Sequence, residues 1–223
     1  MRMMSNRSVR ARAPLKSWLA ASCAVLLAAS LVHGGILSQD GVARCKIVRP
    51  ANATDDFKKE VARFADILSE MGGTKFEIVA EDAAVTAGPV VSVGDTAYAR
   101  KAGIIQESLA REQYVVRTVG DDVILAGAGE LGAVYACYEF LERLDYRCYD
   151  GWNERVPKRT RLETGPLNVS RTPTFAFRTI FTQTGVFSWG PAPAGGRFVR
   201  ACKATNCGFP NRVYGRPGDV HTF

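Results

Sequence analysis

The chain has 223 residues, 47% of them hydrophobic and 23% charged, which suits a globular protein and excludes a disordered or fibrous one. Its formal charge of +7 looks basic, but five of the bases (Arg2, Arg7, Arg10, Arg12 and Lys16) precede position 34, where there is no acid. Without them the balance is 24 bases against 22 acids, or +2, so the charge is an export feature and not a nucleic-acid footprint.

The first 34 residues continue from that basic start into an apolar run, Trp18 to Val32, with small residues near Gly34 and Gly35. This is the order of a secretory signal, and the run is shorter than the roughly twenty residues of a comfortable span. An uncleaved N-terminal anchor is the other reading. No other membrane association and no nucleic-acid partner is expected. Five cysteines follow the leader: Cys45, Cys137, Cys148, Cys202 and Cys207. Their spacing fits no zinc pattern, and no metal is expected. They are either small buried hydrophobes or the makings of one or two disulfides, with Cys202 and Cys207 close enough to pair.

The sequence predicts a first strand over Arg44–Arg49, ended by Pro50. Thr54 caps a helix with Asp55 and Asp56 in its first turn, which opposes the helix dipole favourably. Phe57, Val61, Phe64 and Leu68 mark its buried face, and Gly72-Gly73 stops it. Strands follow over Phe76–Val79 and Pro89–Val93, then a short helix over Ala97–Lys101. Two apolar runs, Tyr114–Val119 and Val123–Ala126, flank Gly120-Asp121-Asp122 and read as a hairpin. Its second strand enters Gly127-Ala128-Gly129, where a helix starts with Leu131, Val134, Tyr135, Tyr138 and Leu141 at helical spacing. A short strand, Tyr146–Tyr149, closes the unit. The expected class is α/β (α+β), a mixed sheet with helices packed on it.

Gly127-x-Gly129-x-x-Gly132, after a strand and opening a helix with Asp150 further on, has the form of a dinucleotide fingerprint. Two features weigh against a nucleotide. The preceding strand looks paired antiparallel, and Glu130 puts a negative charge where a phosphate would sit. The glycines are then a tight strand-to-helix corner, and no cofactor is expected.

From Gly151 to Arg171 the chain is polar, with Pro157 and Pro166, and reads as extended chain leaving the domain. Lys158 to Arg161 reads as an exposed strand edge. A new strand with alternating aromatics is expected over Thr174–Phe181, and a helix over Arg197–Ala204.

The run Val123 to Lys158 carries a family pattern: Gly132, Tyr135, Tyr138, Phe140-Leu141-Glu142, then Arg147 through Tyr149 and Glu154 to Pro157; Pro173-x-Phe175-x-x-Arg178 follows it. It resembles the α/β domain preceding the catalytic barrel in α-glucuronidases and β-hexosaminidases. The likeness is greatest to a related group of uncharacterised bacterial proteins with an α-glucuronidase-type N-terminal domain. The resemblance covers residues 44 to 223. It implies a β-hexosaminidase domain-2-like fold followed by the first strand of an incomplete (β/α)8 barrel. The implied organisation is a signal over 1–34, a non-catalytic α/β domain over 35–150, a linker over 151–172, and the start of a truncated catalytic domain over 173–223. In such relatives the chemistry lies at the C-terminal ends of the barrel strands. Glycoside hydrolysis usually takes two carboxyl groups, and from Thr172 onward this chain has only Asp219. A barrel needs roughly 250 residues.

The implied function is the supporting domain of a secreted glycoside-hydrolase-like protein in carbohydrate catabolism, with carbohydrate as partner and no catalytic residue in this chain. The other reading is a secreted carbohydrate-binding or interaction module. Three residues are carried over as sugar-binding candidates. Arg178 would hold sugar hydroxyls with its fixed donors, or make a structural ion pair beneath the barrel. His221 would line the site, or be a loop histidine without a role. Trp189 would stack on a sugar ring, or pack in a core.

Overall fold

The computed structural model describes residues 34–83, 88–150, 152–175, 178 and 194–204. The expected leader, Trp189, Cys207, His221 and most of the expected Thr174–Phe181 strand lie outside them. In chain order the strands are β1 (Ile36–Gln39), β2 (Val42–Ala43), β3 (Lys46–Arg49), β4 (Ile78–Ala80), β5 (Val90–Val93), β6 (Tyr114–Val119), β7 (Asp122–Gly127), β8 (Arg147–Cys148), β9 (Glu154–Arg155), β10 (Arg161–Glu163) and β11 (Asn168–Arg171). The helices are α1 (Asp55–Gly72), α2 (Ala97–Lys101), α3 (Gly129–Arg143) and α4 (Ala194–Ala201), with a 3₁₀ turn at Gln106–Ser108.

The main sheet is mixed, in the order β11-β6-β7-β5-β3-β4. Strands β4, β3, β5 and β7 run parallel, while on one edge β6 pairs antiparallel with β7 and β11 antiparallel with β6. Helices α1 and α3 cover one face. Phe57, Phe64 and Leu68 of α1 join Val134, Tyr138 and Leu141 of α3 over Ile47, Val91, Val93, Val116 and Leu125. The other face is covered by α2 and the turn after it, with Ala99 and Ile104 on Val115, Ile124 and Ala126. The alternation of Val115, Val116, Ile124 and Leu125 between the two clusters is the period-2 pleat serving two helix layers.

Helix α1 forms as its sequence dictates. Thr54 Oγ1 accepts from the Phe57 amide, and Gly73 ends the helix at φ +62. Thr54→Ala is expected to lower stability by about 1 kcal/mol, readable in a urea titration.

Two features depart from the expected layout. Asp40 and Gly41, both at positive φ (51 and 76), turn β1 into β2, and β10 pairs with β1 on the other side. The stretch expected to leave the domain also stays on it. It is extended, as expected, but β10 and β11 pair with β1 and β6. Its polar composition follows from that edge position, where one side of each strand faces water; only Leu162 in β10 is buried. Among the described residues no helix is long and apolar enough to cross a membrane.

Candidate docking interface

The glycine corner is the first local feature to explain. A Cβ on Gly127 would lie 2.2 Å from the Gly132 carbonyl carbon, and one on Gly132 would lie 2.7 Å from the Gln113 oxygen. Gly129 turns at φ +69 with open space around it. Two of the three glycines therefore exist so that strand and helix backbones can touch. Contrary to the expectation from the sequence, strand direction does not weigh against a nucleotide, because β7 is antiparallel to β6 but parallel to β5. Glu130 does. Its carboxylate accepts from the Thr54 amide (2.9 Å) and the Thr54 hydroxyl (2.5 Å), at the N-terminus of α1. An internal carboxylate thus takes an anion's place between the starts of α1 and α3.

The corner launches α3, and α3 together with its neighbours presents acids to the residues that follow the domain. Glu60 on α1 is 5% exposed at its side chain and pairs with Arg63 (2.5 Å) and with Arg200 of α4 (3.0 Å). Glu154 on β9 pairs with Arg197 of α4 at 2.5 Å and accepts from the Tyr146 hydroxyl. Glu139 on α3 pairs with Arg143 (2.9 Å) and lies 3.7 Å from Lys203, which also reaches Glu142 at 3.6 Å. Glu112 pairs with Arg178 at 2.5 Å. Four bases from positions 178 to 203 are thus seated on acids from positions 60 to 154.

Aromatic side chains finish the contact. Tyr114 and Tyr135 meet edge to face, with centroids 6.4 Å apart. The Arg178 guanidinium lies 5.6 Å from the Tyr135 centroid, and the Lys203 ammonium 5.7 Å from that of Tyr114. The Tyr135 hydroxyl donates to the Ala204 carbonyl. Glu112 is a non-glycine residue at φ +58, a left-handed backbone that costs on the order of 1–3 kcal/mol.

Burial alone would push the Glu139 carboxyl upward. The Arg143 hydrogen bond and the charges of Lys203 and Arg171 outweigh it and hold the group below its ordinary 4.5. Burial and the same carboxylate push the Tyr114 phenol up to about 12, so Tyr114 remains a donor to Glu139. A carboxyl depressed in the folded state contributes stability above its unfolded value, lost as pH falls through the lower folded one. Acidification below 4.5 is therefore expected to free residues 194–204 first, seen as proteolysis there while the sheet's circular dichroism persists.

Of the three residues carried over from the resemblance, only Arg178 lies among the described ones. All three of its guanidinium nitrogens face protein acceptors: Nε the Lys203 carbonyl (2.7 Å), Nη1 the Phe175 carbonyl, and Nη2 both Glu112 and the Tyr135 hydroxyl. This is the ion-pair arrangement, and it leaves 18% of the side chain exposed. Trp189 and His221 lie outside the described residues. The partner acids escaped the sequence reading, although one signal was there: Glu60 interrupts the apolar stripe of Phe57, Val61 and Phe64.

Cys45, Cys137, Cys148 and Cys202 are free thiols. Burial pushes Cys45 up to about 12 and raises Cys137 also, which marks both as small buried hydrophobes. Among the described residues no group of His, Cys, Asp and Glu is placed to hold a metal ion.

The sequence matches no protein-family profile and no curated protein. Solved structures do resemble the fold. A GH115 4-O-methyl-α-glucuronidase with specificity for decorated arabinogalactans superposes with a TM-score of 0.55 at 13% identity, over 76% of this chain and 25% of that one. A Streptomyces plicatus β-hexosaminidase gives 0.42 at 13% identity, over 67% of this chain and 26% of that one. A GH20 exo-β-N-acetylglucosaminidase from Vibrio harveyi gives 0.40 at 11%, over 66% and 18%. The chain thus spans about a quarter or less of the length of these structures. At such identity the likeness is one of fold: a mixed α/β domain of the kind that glycoside hydrolases carry.

Proposed function

We propose that this chain is the supporting α/β domain of an exported, carbohydrate-active protein of the glycoside-hydrolase type. Its acid-lined face seats the segment leading to the catalytic part. The observation that carries this reading is the convergence of Arg178, Arg197, Arg200 and Lys203 on Glu112, Glu154, Glu60 and Glu139. A domain built as a platform has reason to place buried charge on its outgoing face: each buried pair is worth little against apolar packing, but a mispaired charge costs several kcal/mol, so the pairs set one register of docking. The fold likeness to the α-glucuronidase supports the carbohydrate-active part of the reading, and the apolar run Trp18 to Val32 supports export. From Thr172 onward the chain holds one carboxylate, Asp219, so the reaction's acid and base belong to residues other than these.

The test is the DNA beyond the Phe223 codon. A reading frame continuing for roughly 200 residues into a barrel pattern, with acids at strand ends, is the expected result. A stop codon with no barrel nearby would overturn the proposal. The purified chain is expected to hydrolyse no aryl glycoside, and an exported form is expected to begin near Gly34 or Gly35.

A further inference from the structure

The parallel part of the main sheet has a point where its connections part. From β3 the chain goes through α1 to β4 on one side, and from β5 it goes through α2 and the hairpin to β7 on the other. Loops leaving adjacent parallel strands in opposite directions cannot fill the space between them. In open α/β sheets a ligand crevice forms there, outside the carboxyl ends of the strands.

This protein has a cleft at that place. Its volume is about 150 Å³, and it is lined by Pro50, Asn52, Ala53 and Phe57 after β3, Gly94 and Asp95 after β5, Gln106, and Glu130 after β7. Gly94 keeps the floor open: it sits at φ +91, and a Cβ there would lie 3.0 Å from the Phe57 ring and 3.2 Å from Pro50. The volume is below the 300 Å³ or so at which drug-sized ligands are taken. It suits one small ring or a chain end.

The lining selects the chemistry. Among the described residues no lysine or arginine lines the cleft, and Glu130 already holds the place at the start of α1 that a phosphate would want. Asp95 is paired with Arg100 at 2.8 Å, and Glu130 sits at the N-terminal ends of α1 and α3, whose dipoles offset part of its charge, and accepts from the amide and hydroxyl of Thr54. Both carboxylates keep spare lone pairs that accept from neutral O–H donors. Among the described residues no hydrogen bond engages the side-chain amides of Asn52 and Gln106, which supply donors and acceptors to the same space. We infer that this crevice binds a neutral polyhydroxylated ligand, of the size of a single sugar ring, against Asn52, Asp95, Gln106 and Glu130. It is separate from the docking interface and stands whether or not a catalytic barrel follows.

The experiment is saturation-transfer NMR on the full chain with the methyl glycosides of glucose, galactose, xylose and N-acetylglucosamine. Inorganic phosphate, NAD and ethanolamine serve as competing probes. A ligand of about a dozen heavy atoms in so small a cleft binds with a dissociation constant on the order of millimolar. The expected result is transfer to at least one glycoside, weakened tenfold or more in Asn52→Ala/Gln106→Ala at unchanged Tm. Asp95→Asn gives the same reading should the double variant fold poorly. No transfer to any glycoside, or transfer surviving both variants, overturns the inference. So does preferential binding of phosphate, NAD or ethanolamine at these residues. A stop codon after Phe223 would end the platform proposal without touching this result.

Discussion

Gly127→Ala is expected to lower stability by about 3 kcal/mol, measured as the shift in a urea unfolding midpoint. The new methyl would sit 2.2 Å from the Gly132 carbonyl carbon and 2.6 Å from the Ala133 nitrogen. Both are backbone atoms of α3, so no rotamer change relieves the overlap. Helix and strand must move apart, and α3 carries Tyr138, Phe140 and Leu141 into the core. Gly129→Ala is the control. It meets open space and carries only the left-handed penalty of its φ of +69, about 1–2 kcal/mol. In a dinucleotide fingerprint the second glycine answers to the ligand, while the first and third serve the turn and the helix–strand packing. The contrast between positions 127 and 129 therefore measures the packing role of the corner, and Glu130 at the start of α1 is what weighs against a phosphate.

Glu60→Gln is expected to cost about 3 kcal/mol and to loosen α4. Glu60 and Arg200 are 5% and 10% exposed at their side chains and 3.0 Å apart. Removing the acid alone takes the Glu60 charge away from the Arg200 guanidinium in a dehydrated place. Replacing both partners, Glu60→Met with Arg200→Met, is expected to recover most of the loss, because the pair's own desolvation cost is removed with it. A double-mutant cycle by urea unfolding gives the coupling directly. If the single and double variants are equally destabilised, the contact is packing and not charge pairing.

Much of the domain is legible from its residues because local signals agree with the packing. Thr54, Asp55, the 57-61-64-68 stripe and Gly73 each announce α1, and the core needs that same face. The short edge strands gave no such signal. β2 has two residues and β11 has one partly buried residue in four, too few for a period to show. Asp40-Gly41 is the one strong signal there, an Asp-Gly pair whose two positive φ values suit a tight hairpin turn. The docking acids were legible only as anomalies. Glu60 on an apolar stripe is an anomaly whose partner lies 140 positions away, and single-chain periodicity has no access to that distance. Arg178 shows the converse. Its residue type suited sugar recognition, but its neighbours, Glu112 at a left-handed turn and Tyr135 on α3, came together only through the fold.

The central claim is that carboxylates of the α/β domain hold the residues that follow it. Hydrogen exchange over residues 197–204, in the wild type and in Glu60→Gln/Glu139→Gln/Glu154→Gln, tests it most directly. The account predicts protection in the wild type and exchange at least about tenfold faster in the variant, which is about 1.4 kcal/mol of opening free energy. The amides of β5 and β7 should keep their protection. Unprotected amides at 197–204 in the wild type, or protection there that survives the loss of all three charges, would contradict it.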